Sequence, residues 1–87
     1  MQIDFANQFD KQLKKSPNKI KIAFQKRLAL FIKDKYHPLL DNHQLTGKLK
    51  LCRSINVTGD WRALFKELNS GEIVFFVVLG THSHLYK

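Results

Sequence analysis

Four histidines, His37, His43, His82 and His84, are the groups of this chain best suited to moving protons near neutral pH. Histidine's ordinary pKa of about 6.5 fits it for that work. A pair of such groups can cleave RNA without a metal ion. The ribose 2′-OH would attack, one residue would take its proton, positive charge would stabilise the crowded phosphorane, and another residue would protonate the departing 5′ oxygen. Arg53 and Arg62 could supply that charge, because each stands in a strand-like stretch otherwise filled by apolar or small residues. A planar fork with five donors suits a phosphodiester. An ion pair with Asp60 or Glu67 is the competing structural use of either arginine, and spacing alone leaves both open. From spacing alone, each histidine taken singly reads more readily as a surface or loop residue than as a catalyst. A metal site is not expected, since His82 and His84 on an extended tail would point to opposite sides and the only cysteine is Cys52. No cofactor is implied.

Composition narrows the setting. Eighty-seven residues suffice for one domain with a modest core, and residues 1–87 are expected to form it. Fifteen Lys and Arg against seven Asp and Glu give a formal charge of +8. So basic a small chain usually serves polyanions or an acidic protein partner, with nucleic acid ahead of an anionic membrane surface. No apolar run approaches the length of a spanning helix and no leader pattern is visible, so a soluble, cytoplasmic protein without a membrane role is expected. A single cysteine fits a reducing compartment.

The elements that must position these groups follow from periodicity. Asp4 can cap a first helix whose stripe is Phe5, Phe9 and Leu13, with a short edge strand before it. In "KSPN", Ser16 suits an N-cap and Pro17 the first position of a second helix. That helix carries the stripe Ile20, Ala23, Phe24, Leu28, Phe31 and Ile32 and should end near Tyr36, because Pro38 disfavours helical backbone at His37. A short connection predicts an antiparallel helix hairpin. Beyond Gly47 the pattern alternates. Leu49, Leu51, Ile55 and Val57 share one side of an extended stretch, and Arg53 on that side suggests a bulge or a twist. "TGD" and "NSGE" are turns around a strand at Trp61–Lys66. Ile73–Leu79 is apolar on both faces and reads as a central strand. The expected fold is α+β, an N-terminal helix hairpin packed on a small, mainly antiparallel sheet.

Together, the helix hairpin, "HPLLDNHQLTGKLKLCRSINVTGDWRALF" and the closing "LGTHSHLY" resemble the RelE/ParE superfamily of bacterial toxins, and in particular its YafQ-like branch of mRNA interferases. The most specific pieces are the HxLxG segment at His43–Gly47, the Asp60-Trp61 pair after the hairpin turn, and Gly80-Thr81-His82 followed by Tyr86. The resemblance implies a type II toxin held inactive by a cognate antitoxin. Once free, it would cut mRNA on the ribosome without a metal.

Matched residue by residue, the resemblance implies acid or base roles for His82 and His43, an acidic site residue in Asp60, and the terminal aromatic in Tyr86. Arg62 and Arg53 would bind and stabilise the scissile phosphate, and Lys48, Lys50, Trp61 and Asn56 would contact RNA along with Arg53, Trp61 by packing or orienting. His84 would be a bystander. This chain departs from the branch where Asn56 and Ser54 stand in place of a histidine and an aspartate, and where Val78 replaces an arginine. The site would then lean on Arg53 and Arg62. Two other readings remain from the same residues: a ParE-like, non-enzymatic gyrase inhibitor, and a basic nucleic-acid-binding module without catalysis.

Overall fold

The alternation of apolar residues in the second half of the chain builds a sheet, and the helical stripes of the first half cover one side of it. The computed structural model describes residues 1–86. In it the chain forms β1 (Gln2–Phe5), α1 (Asn7–Lys15), α2 (Asn18–Lys33), β2 (His43–Gln44), β3 (Arg53–Asn56), β4 (Trp61–Leu68), β5 (Ile73–Thr81) and α3 (His82–Leu85), with short 3₁₀ turns at Pro38–Leu40 and Gly47–Leu49. The strands lie in the order β1-β5-β4-β3-β2, antiparallel except for the β1–β5 pair. This is the expected α+β layer of helices on a mainly antiparallel sheet. None of its helices is long and apolar enough to cross a membrane among the described residues.

The core lies between sheet and helices. Phe9 of α1 and Ile20, Phe24 and Phe31 of α2 pack on Ile55, Ala63, Phe65, Val74, Phe76 and Leu79 of the sheet. Phe76 stands at the centre, with ring centroids of Phe5, Phe9, Phe24, Phe31 and Phe65 all between 5.4 and 5.9 Å away. Phe5 is stacked on it and the others are tilted or edge-on, and such pairs each add about 0.5–1.5 kcal/mol beyond the area they bury. Phe76 and Leu79 are three apart, yet both are buried in this core. A β-bulge makes that possible. Leu64 pairs with Val78 but Phe65 pairs with Phe76, so Val77 is the extra residue on β5 and alternation resumes with its phase reversed.

Several sequence expectations shift. Asp4 and Phe5 belong to β1, and α1 begins after Ala6, because parallel pairing with Phe75 and Phe76 claims the residues that were to open the helix. Ser16 does not cap α2. Its hydroxyl donates to the Leu13 carbonyl at 2.7 Å and closes α1 instead, while Pro17 takes the N-cap position of α2. The helix stops at Lys33 rather than near Tyr36, and Ile32 is exposed. His37, held at φ −56° and ψ 135° before Pro38, carries the chain into the 3₁₀ turn. The bulge sits on β5, not at Arg53, which pairs regularly with Phe65. Leu49 and Leu51 lie before β3, in and after a 3₁₀ turn, and Leu51 is 72% exposed. Between β4 and β5 the chain turns through positive φ at Asn69, Ser70 and Gly71, as the "NSGE" signal implies.

Candidate functional site

Because side chains alternate along a strand, the residues between the core positions of β3, β4 and β5 point away from the helices. Cross-strand pairing arranges them in rows. His43 of β2 pairs with Ser54, Ser54 with Leu64 and Leu64 with Val78; the next row holds Asn56, Arg62 and Gly80. Leu64 is 1% exposed and Ser54 fully buried, although neither faces the helices.

The cover over this face comes from the C-terminal segment, where the structure corrects the expectation of an extended tail. Thr81 caps α3 by accepting the His84 N–H, and the His82 N–H donates to the Asp60 carbonyl at 2.7 Å. One helical turn brings His82 and Tyr86 onto the same side, four residues apart. Their rings meet edge to face at 4.6 Å and 77°. The Tyr86 hydroxyl donates to Ser54 Oγ at 3.2 Å. Leu85 lies against Gly80, where a Cβ would sit only 3.2 Å from its side chain, so this close approach depends on glycine.

Between this turn and the segment 43–49 lies a cleft of about 480 Å³, lined by His43, Leu45, Thr46, Lys48, Leu49, Leu85 and Tyr86. His43 Nδ1 is 2.7 Å from the Asp41 carbonyl oxygen. A carbonyl can only accept, so the neutral ring carries its proton on Nδ1 and keeps the lone pair on Nε2. Asp41 is in the left-handed region at φ 47°, a conformation Asp tolerates better than most residues.

The other expected site residues divide between the faces. Arg62 shares the row of Asn56, but its Nη1 donates to the carbonyls of Thr58, Gly59 and Trp61 at 3.0–3.1 Å, clasping the hairpin turn. Asn56 Oδ1 is buried without a hydrogen-bond partner. Lys48 lines the cleft; Lys50 does not, and its backbone carbonyl accepts from Gln44. Arg53 faces the helices. There it donates from Nε to Asn42 at 2.9 Å and lies 4.0 Å from Glu67. Trp61 packs against the core, and with Asp60, Lys19, Ile20 and Thr58 it lines a separate groove. Asp60 meets the cluster through its carbonyl. His84 lines a third groove beside Gln12 and Lys15, and His37 accepts the Leu39 N–H. Ser54 as the seat of Tyr86 and Asp41 as the partner of His43 escaped the sequence reading, because neither type nor spacing marks a contact made across strands or by a backbone oxygen.

A helix pair on one face of a five-stranded sheet, with a C-terminal turn folded over the other, is the architecture of the RelE/ParE-like fold class. The chain belongs to the YafQ family, whose model is described as "Bacterial toxin of type II toxin-antitoxin system, YafQ" and matches residues 1–87. It is therefore a toxin of the type II class. Among solved structures it is similar to YafQ from Escherichia coli, with 21% identity, a TM-score of 0.80 and coverage of 98% of this chain and 97% of that one. YafQ in the E. coli DinJ-YafQ toxin-antitoxin complex is 25% identical at a TM-score of 0.68, over 98% of this chain and 96% of that one. A YoeB/ParE toxin from Agrobacterium tumefaciens shares the fold at 12% identity and a TM-score of 0.77, over 94% and 99%. A search of curated proteins found no match.

Proposed function

We propose that this toxin is an endoribonuclease that cleaves mRNA by attack of a ribose 2′-OH, without a metal, on mRNA held by the ribosome. The observation that carries the reading is the cleft lined by His43, whose Nδ1 lies 2.7 Å from the Asp41 carbonyl oxygen, and by Tyr86, with the His82 ring against Tyr86 at the cleft's edge. His43 Nε2 takes the proton of the 2′-OH, and the 2′ oxygen bonds to phosphorus. The P–O5′ bond breaks, and protonated His82 gives its proton to O5′. The products are a 2′,3′-cyclic phosphate and a 5′-OH end. Lys48 lines the cleft and Arg62 stands one row away, so both can supply charge to the phosphorane once Arg62 turns from the hairpin carbonyls.

Tyr86 stacks on a base. Asp60 and Trp61 act by holding the start of α3 and the end of the hairpin. Asn56 contributes to the RNA-facing row, whereas Arg53 acts from behind the sheet and Lys50 only as surface charge. The ribosome supplies orientation, which alone can contribute up to roughly 7–11 kcal/mol and so lets a protein with few reactive groups suffice.

The partner is a cognate antitoxin, as in the DinJ-YafQ complex of a relative. α2 carries Lys19, Lys21, Lys26, Arg27 and Lys33 and no acidic residue, which favours an antitoxin segment that is acidic and apolar and folds as it binds. Residues 1–87 act as one domain, in the cytoplasm, where mRNA is translated.

The test is expression of wild-type, His82→Ala and Arg62→Ala proteins with growth and mRNA 5′ ends followed together. The reading expects new 5′-OH ends and growth arrest with wild type only. Arrest without new ends would replace it with gyrase inhibition, and no arrest with a non-catalytic nucleic-acid-binding module. Equal cleavage of naked and ribosome-engaged mRNA by the purified protein would remove the ribosome from the mechanism.

A further inference from the structure

The segment that presents His43 is gripped from behind the sheet by a closed ring of polar contacts. Lys35 Nζ meets Glu67 Oε2 at 3.1 Å, and Glu67 Oε1 lies 4.0 Å from Arg53 Nε. Arg53 Nε donates to Asn42 Oδ1 at 2.9 Å, and Asn42 Nδ2 donates to the Lys35 carbonyl at 2.9 Å, returning to the residue where the ring began. The Tyr36 ring lies under both cations, 5.3 Å from Lys35 Nζ and 5.8 Å from the Arg53 guanidinium carbon. Asn42 is half-buried and engaged through both ends of its amide, which fixes that amide's plane and orientation.

We infer that Asn42 is the positioning residue that sets the protonation geometry of His43. The carbonyl that accepts from His43 Nδ1 belongs to the peptide joining Asp41 to Asn42, so holding Asn42 at its side chain orients this peptide plane. With the plane fixed, Nδ1–H is held by the Asp41 oxygen and Nε2 is the nitrogen left to face the cleft. Alternation explains the division of labour: His43 pairs with Ser54 on the cleft side, and Asn42 beside it reaches the helix side, where Arg53 waits. Arg53 thus serves the site without touching RNA. The inference rests on the reading of His43 as the base, and it adds the residue that makes one ring nitrogen the reactive one.

The experiment reads the tautomer directly. ¹⁵N-edited NMR of the His43 side chain, in free protein at a pH where the ring is neutral, should show the Nδ1–H form in wild type and a mixture with the Nε2–H form in Asn42→Ala. Cleavage by that variant should fall about tenfold or more in kcat, with KM within about twofold, because misplacing a reacting group costs rate rather than affinity. Dispersed amide signals establish that the variant is folded. If it is not, Asn42→Asp decides: it keeps an oxygen facing Arg53 but sets a charged oxygen, which cannot donate, against the Lys35 carbonyl, so the ring is broken there and it too should show mixed tautomers. An unchanged Nδ1–H spectrum in either folded variant overturns the inference. Because the tautomer is read without RNA, that failure is distinct from failure of the base assignment, which would appear as wild-type cleavage by His43→Ala.

Discussion

Tyr86 and Ser54 are joined by a hydrogen bond of 3.2 Å between the last helical turn and the middle of the sheet, and the serine oxygen is fully buried. Tyr86→Phe leaves that oxygen without its donor and should cost about 1–3 kcal/mol, the range for stranding a buried polar group. Ser54→Ala should cost less, because the Tyr86 hydroxyl, only half-buried, can turn to water. The double variant should then be at least about 0.5 kcal/mol more stable than additivity predicts. Urea unfolding of the four proteins measures this, and strict additivity would mean that the two hydroxyls do not depend on each other.

Arg62 clasps the hairpin turn through one guanidinium nitrogen shared among three carbonyls. Lysine keeps the charge but cannot span the same oxygens with a planar fork. Arg62→Lys should therefore lose about 1 kcal/mol of stability, the worth of a half-exposed hydrogen-bonded contact, yet lose cleavage by a much larger factor if the arginine also meets the phosphorane. Thermal unfolding and single-turnover cleavage on the same preparation separate these effects. A rate unchanged within about twofold would restrict Arg62 to holding the turn.

Gly80 lets α3 fold onto the sheet, and alanine there would put a Cβ 3.2 Å from Leu85. The neighbour is a flexible side chain, so the fold should survive with a loss of about 1 kcal/mol while α3 moves outward. Tyr86 would then lose its register with Ser54, and the proposed mRNA cleavage should fall more than stability. The tyrosine ring signals report the shift by NMR; if they stay in place in Gly80→Ala, α3 is less tightly seated than the geometry indicates.

The same positions explain how much could be read in advance. The helix pair, the main strands and both hairpin turns followed from apolar spacing and from Gly, Asn and Asp at the turns, because these signals are local. His43, His82, Arg62 and Tyr86 were singled out by type and resemblance, and the fold brings His43, His82 and Tyr86 to one side of the sheet, with Arg62 one row away. Which face Arg53 occupies was not legible, because an arginine within a strand looks the same from either side in a linear sequence; its pairing with Phe65 and its bond to Asn42 place it on the helix side. The bulge at Val77 was invisible for a related reason, since an apolar run has no phase to lose. The terminal helix was missed because four residues carry too little periodicity to outvote extension, whereas the cap at Thr81 and the Asp60 carbonyl decide it in three dimensions.

Phe76 offers the sharpest test of the core. It is fully buried, and five other phenylalanines surround it, from β1, both long helices and β4. Alanine at this position removes the common partner of all five and leaves a cavity that a rigid sheet cannot close, so the cost should be about 3–5 kcal/mol. Small domains have only about 5–15 kcal/mol in total, and this one is expected near the lower end because a short chain buries a smaller fraction of its surface. Phe76→Ala should therefore show a strongly lowered urea midpoint and a sizeable unfolded fraction at physiological temperature. Phe76→Leu, which keeps most of the volume but loses the aromatic edges, should fall between the two. Circular dichroism across a urea series decides the matter: a midpoint for Phe76→Ala close to wild type would mean that the ring is not the keystone its contacts make it.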